Sequence, residues 1–199
     1  MNFVWSRLPD GTIEIQIKTP VVEVGTLYRL TAAIYAMGLD ILSGDISSDT
    51  GEDGIPYSND RFILQHTNSE ESEGAISAKL GILMETLLRE NMDPDEFLRK
   101  EKIQPPVKLE FFETEPVILF QNSKEWNATQ FYIESQNRTG LLFHLTRILA
   151  RKNVDIIRAK IRTENYLVKD TFYLQYNGSF LEPDTSKKIE SEILSRSAV

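Results

Sequence analysis

The segment Asn137-Arg138-Thr139-Gly140-Leu141 joins a run of alternating polarity to a run with helical spacing, and Gly140 falls where the second begins. A glycine there can turn left-handed and lets backbone approach a ligand closely. The free N–H groups of the succeeding helix, together with its dipole, attract a carboxylate. A structural reading stands beside this one: Gly140 permits the turn, and Thr139 or Asn137 caps the helix. Glu23-Val24-Gly25-Thr26 repeats the pattern more weakly. Its glycine also precedes a helical stripe, but Val22 and Val24 make the loop apolar, which reads as a structural turn with Glu23 in solvent.

Other chemistries find less footing. Asp49-Thr50-Gly51-Glu52-Asp53-Gly54 has the acidity of a calcium loop, yet Gly51 occupies a position that needs an oxygen ligand and no helix pair flanks it. It reads as a solvated hairpin tip. His66 and His144 lack the spaced partners of a metal signature, so no metal and no cofactor are expected. With no cysteine in the chain, disulfides, thiolate catalysis and cysteine-ligated metals are excluded. No Gly-x-Gly-x-x-Gly, Walker, Gly-x-Ser-x-Gly or kinase pattern occurs, and no catalytic residue is assigned. An enzyme would require Arg138, Asp155 and Asp170 to converge on one pocket.

Composition narrows the partners. Among 199 residues, 22 Lys+Arg face 30 Asp+Glu, a net charge of −8. That balance argues against nucleic acid or an anionic membrane as partner, because both need a basic excess. The beginning, MNFVWSRLPDG, lacks the form of a secretory signal, and no apolar stretch reaches spanning length. A cytoplasmic location is the expectation, and the Asn-x-Ser/Thr sequons at Asn127, Asn137 and Asn177 then carry no weight.

The elements that position the candidate loops come from a repeat. Gly25, Leu27, Leu30, Thr31, Asp40, Ile41 and Ile46 recur 115 residues later as Gly140, Leu142, Leu145, Thr146, Asp155, Ile156 and Ile161. Such self-similarity marks a duplicated unit. In the first copy Leu27, Leu30, Ile34 and Met37 form one helical stripe; Leu142, Leu145, Ile148 and Leu149 form it in the second. Upstream, Ile13, Ile15 and Ile17 alternate with Glu14, Gln16 and Lys18, a half-buried strand matched by Phe131 and Ile133. Downstream, DILSGDI and DIIRAKI share a parity change that predicts a common bulge. NDRFILQ and KDTFYLQ give one further strand each, separated in the first copy by the polar insertion Ser47–Ser58, expected to be a loop. A second helix closes each copy, with Ile76, Leu80, Leu83 and Leu87 in one and Ile189, Ile193 and Leu194 in the other.

Strand–helix–strand–strand–helix twice over predicts an α+β fold of two ferredoxin-like units, each an antiparallel sheet with helices on one face. A last strand is missing from the C-terminal copy, whereas NFVWSRL and PVILFQ each precede a first strand, the former across the turn signal Pro9-Asp10-Gly11. Both copies are therefore expected to be permuted to ββαββα. The predicted organisation is a first domain at 1–91, a linker at 92–115, and a second domain at 116–199. Within the linker, Asp93-Pro94 predicts a capped short helix, and VKLEFFE at 107–113 an extra strand.

The stretch FYIESQNRTGLLFHLTRILARKNVDIIRAKIRTENYLVKDTFYLQ resembles an ACT domain, a small amino-acid-sensing regulatory module. More narrowly, the chain is similar to the C-terminal ACT pair of the bifunctional uridylyltransferase/uridylyl-removing enzymes that modify the nitrogen-regulatory PII protein. In that family the first loop reads Asp-Arg-Pro-Gly-Leu-Leu and a strand carries Asp-x-Phe-Tyr; here they read Asn137 to Leu142 and Asp170 to Tyr173. The resemblance implies that Arg138, Thr139 and Gly140, with a strand of a neighbouring domain, form an amino-acid pocket. Asn137 in place of Asp removes a charge that would pair with an ammonium. The metal-binding motifs of the family's catalytic domains are absent from this sequence. The resemblance thus implies a non-catalytic regulator that binds a small effector, plausibly an amino acid, and signals through protein contacts in nitrogen or amino-acid metabolism. Pairing of sheet edges would make it a homodimer. The alternatives are a ligand-free ACT adaptor and an accessory of a uridylyltransferase system.

Overall fold

The computed structural model describes residues 1–20, 23–51, 54–66, 72–106, 112 and 114–195. Alternation builds its strands. In β2 (Ile13–Thr19), Ile13, Ile15 and Ile17 are buried while Gln16 and Lys18 face solvent. The preceding β1 (Asn2–Arg7) folds back on β2 across a turn whose Gly11 has φ 84°, and Phe3 lies opposite Ile17. Asp10 holds that turn by accepting hydrogen bonds from the Thr12 N–H at 3.0 Å and hydroxyl at 2.7 Å. The first lobe continues with α1 (Thr26–Ala36), β3 (Leu39–Thr50), β4 (Pro56–His66) and α2 (Glu73–Arg89). A short α3 (Pro94–Lys100) comes next, with Asp93 as its cap and Pro94 in its first turn. The second lobe has β5 (Val117–Ser123), β6 (Ala128–Gln136), α4 (Leu141–Arg151), β7 (Asp155–Glu164), β8 (Leu167–Gln175) and α5 (Pro183–Leu194). Ile118 pairs with Ile133, so both lobes carry the permuted ββαββα order of the ferredoxin-like fold.

The lobes do not hold separate sheets. All eight strands form one antiparallel sheet in the order β1-β2-β4-β3-β7-β8-β6-β5. The seam is β3 against β7, where Asp45 lies opposite Lys160, its own repeat equivalent. Gly44 meets Ile161 and Ile46 meets Ala159, so each contact is returned by its equivalent, the mark of a two-fold relation. On the helix layer the same axis passes between the Thr31 and Thr146 hydroxyls, 2.9 Å apart and buried. The bulges fall at equivalent places, between Ile41 and Ser43 and between Ile156 and Arg158.

The sheet continues from one lobe to the other within the chain, and the edges it leaves are β1 and β5. Several expectations need correction. Most of the insertion Ser47–Ser58 is strand: β3 runs to Thr50 and β4 starts at Pro56, leaving a short hairpin tip closed by the Gly51 N–H donating to the Ile55 carbonyl at 2.9 Å. On α2 the buried stripe is Ile76, Leu80, Met84 and Leu87, with Leu83 only half-buried. Met37 lies just past the end of α1 and is half-buried. Apart from Phe112, the strand expected at 107–113 lies outside the described residues.

The linker helix binds the lobes together. Asp95 on α3 accepts hydrogen bonds from Arg147 at 3.0 Å and Arg151 at 2.8 Å, both on α4, while Leu98 is buried in the core.

Candidate functional site

The two-fold arrangement makes two equivalent clefts where the lobes meet. Each takes a glycine-led helix start from one lobe and the first residues of the seam strand from the other. The first cleft is lined by Asn137, Arg138, Gly140 and Leu141 of the second lobe, and by Tyr35, Asp40 and Ile41 of the first. The second is lined by Glu23, Gly25 and Thr26 of the first lobe, and by Ala150, Asp155 and Ile156 of the second. Thr139 is exposed, and neither it nor Val24 lines a cleft; Val22 is outside the described residues.

Gly140 and Gly25 have φ of 86° and 90°, left-handed values that an L side chain rarely adopts. Neither helix start carries a side-chain cap, so the structural reading of Thr139 or Asn137 as a cap does not hold. Asn137 reaches across the lobes: its amide donates to Asp40 Oδ2 at 2.9 Å, and its backbone N–H donates to the Tyr166 carbonyl at 2.8 Å.

Four aspartates supply the electrostatics. Burial pushes Asp40 above the ordinary carboxylate range, partly offset by the Asn137 amide and the Ile41 N–H. Asp155, its repeat equivalent, is pushed the same way by burial, against the Ile156 N–H alone. Deeper in each cleft lies a second carboxyl from the central strand of the glycine's own lobe. Asp170 accepts the Arg162 N–H at 3.1 Å, and Asp60 accepts the Ser58 hydroxyl at 2.7 Å. Burial raises each to about 7, so both are largely protonated below neutral pH. These four aspartates are what the loop motif did not reveal. Their signal was present in the repeat, since Asp40/Asp155 and Asp60/Asp170 are acids kept in both copies.

The clefts differ at their mouths. A Cβ on Gly140 would lie 2.8 Å from the ring of Tyr35 and 3.2 Å from Pro106. Tyr35 stacks on Phe143 at 5.4 Å and donates its hydroxyl to the Gln104 carbonyl at 2.8 Å. At Gly25 the corresponding residue is Ala150, 3.9 Å away, and the Arg29 guanidinium stands at 3.4 Å. Arg29 also lies 3.7 Å from Glu23. Each cleft has a cavity volume of about 20 Å³, room for a water and no more, so a metabolite enters only if the loop and the facing strand separate.

Chemically, each cleft offers N–H groups for a carboxylate and aspartates for an ammonium. Arg138 and Asp170 share the first cleft while Asp155 lies in the second, so the convergence an enzyme would need does not occur. Among the described residues no cluster of three or more His, Asp or Glu side chains could hold a metal. No helix among them is long and apolar enough to cross a membrane.

Fold and clefts together define a class: paired ferredoxin-like α+β lobes sharing one sheet, with two-fold related clefts at their junction. No family model matches the chain. Its sequence is similar to part of the bifunctional uridylyltransferase/uridylyl-removing enzymes. The Azospirillum brasilense enzyme is 29% identical over 153 residues, 76% of this chain and 16% of that protein. For Ruegeria pomeroyi the figures are 28% over 176 residues, 85% and 19%. For Aromatoleum aromaticum they are 27% over 195 residues, 97% and 22%. The chain thus spans about a fifth or less of the relatives it matches. Among solved structures, aspartate kinase from Synechocystis aligns with a TM-score of 0.47 at 12% identity, over 92% of this chain and 26% of that one.

Proposed function

We propose that this chain is a regulatory, non-catalytic ACT-type pair in the cytoplasm that binds an amino acid in its interlobe clefts and passes the signal to another protein or a second copy of itself. Its lobes are residues 1–91 and 116–199, joined by 92–115. The observation that supports this reading is the mixed origin of each cleft: an N–H-bearing helix start from one lobe faces an aspartate from the other. A zwitterion seated there touches both lobes, so its affinity depends on their relative placement, which regulation by a ligand requires. The α-carboxylate meets the helix start near Gly140 or Gly25, and the ammonium meets Asp40 or Asp155. Asn137 orients Asp40, which supplies the charge that the asparagine itself lacks.

Calorimetry against the twenty amino acids tests this. Millimolar or tighter binding of at least one is expected, weakened about tenfold or more in Asp40→Asn or Asp155→Asn, because a charged hydrogen bond is lost. Absence of heat with all twenty contradicts the proposal. One observation favours a second reading, a ligand-free adaptor: both clefts are closed to anything larger than water, and Tyr35 covers one of them. On that reading the same titrations are flat, and the lobes act as a rigid platform for a partner.

A further inference from the structure

Equivalent positions of a duplicated unit show what one copy has acquired. On the sheet face away from the helices, β7 carries Arg158, Lys160 and Arg162 where β3 carries Ser43, Asp45 and Ser47. The seam register sets these triplets against each other, with Ser47 opposite Arg158 and Ser43 opposite Arg162. Arg162 takes both oxygens of Asp45, at 2.8 and 3.1 Å, so that carboxylate is already neutralised. Among the described residues Arg158 and Lys160 have no carboxylate partner. In a chain of net charge −8 this pair is a local positive excess.

Aromatic side chains stand beside the cations. Trp126, from the turn between β5 and β6, has the Arg158 guanidinium 4.2 Å from its ring centre. The Tyr173 ring lies 5.8 Å from the indole, tilted by 58°. Together with Asn59, Gln130 and Thr171 these residues enclose a groove of about 560 Å³ that spans both lobes. That is the size range of small-molecule sites, and far larger than the interlobe clefts.

We propose that this groove binds a small anion carrying a planar ring, of the nucleoside-monophosphate class. The anion sits between Arg158 and Lys160, and the ring packs against Trp126 and Tyr173. Arg158 is pre-positioned by its stacking on the indole, and the amides of Asn59 and Gln130 offer donors and acceptors for ring edges. A bare phosphate leaves the aromatic wall unused, and a neutral nucleoside leaves the cations unused.

The chain has two tryptophans, so Trp5→Phe leaves Trp126 as sole reporter. Its fluorescence is titrated with AMP and CMP, and in parallel with adenosine and inorganic phosphate. A saturable change with at least one nucleotide is expected, with each fragment binding at least about tenfold more weakly. Lys160→Ala weakens nucleotide binding about tenfold without moving the unfolding midpoint, because Lys160 is exposed. Asp40→Asn, in the cleft, leaves the titration unchanged. The proposal is overturned by no saturable response to either nucleotide at about 10 mM, an equal response to phosphate alone, wild-type affinity in Lys160→Ala, or loss of binding in Asp40→Asn.

Discussion

Asp60 and Asp170 are both nearly sealed from solvent, and each carboxyl titrates at about 7 in the folded chain. An unperturbed aspartate titrates near 3.9. Between those values the folded state holds more protons than the unfolded state, so stability falls as pH rises. Integrated from pH 5 to pH 8, that difference amounts to a few kcal/mol per group. Asp40 and Asp155 shift in the same direction and add to the slope. Asp10 and Glu14 are lowered by hydrogen bonds from Thr12 and Arg61, so the stability they add is present above the ordinary carboxylate range and is lost as pH falls through that range and below it, outside the interval from pH 5 to pH 8. A domain is typically stable by only about 5–15 kcal/mol, so the effect is large. The perturbation is Asp60→Asn with Asp170→Asn, which keeps an oxygen to accept from Ser58 and from the Arg162 N–H. Urea unfolding at pH 5 and pH 8 is the assay. Wild type is expected to lose several kcal/mol across the interval, and the double variant to lose much less, keeping only the slope from Asp40 and Asp155. A wild-type stability that is flat or rising from pH 5 to 8, or a double variant with the wild-type slope, refutes the reasoning.

Thr31→Val leaves the Thr146 hydroxyl without its partner on the axis and is expected to cost about 1–2 kcal/mol in urea unfolding. Thr31→Val with Thr146→Val is expected to cost less than the two singles together, since both ends of one hydrogen bond are removed. Gly25→Ala and Gly140→Ala share the strain of a left-handed backbone, about 1–2 kcal/mol. Gly140→Ala is expected to cost about 1–3 kcal/mol more by the same assay, because its methyl meets the packed Tyr35 ring at 2.8 Å whereas Gly25 faces Ala150.

The features visible in sequence are those set by neighbours in the chain. The parity change in DILSGDI and DIIRAKI marks bulges found at Ile41/Ser43 and Ile156/Arg158. The spare strand before each first strand announces the permutation, and Asp93-Pro94 announces α3. Less visible were the pairings between distant elements. Nothing local distinguishes a β3 edge that seeks β7 of its own chain from one that seeks a second copy. The polar residues Ser47 to Thr50 read as loop because a ladder paired to β4 tolerates them where pattern alone does not. At the candidate site the glycine loops were legible from their turns, but Asp40 and Asp155 lie across the lobe boundary from the loops they face. Only the two-fold assembly brings them there.

An amino-acid titration monitored by amide NMR tests the central claim most directly, that the clefts receive a ligand touching both lobes. Saturable shifts are predicted at Gly25 and Thr26, at Gly140 and Leu141, or at both sets. They should be accompanied by shifts at the facing Asp155–Ile156 or Asp40–Ile41 and along the seam at Ile46 and Ala159. Shifts confined to one lobe, or none with any amino acid at millimolar concentration, would contradict it.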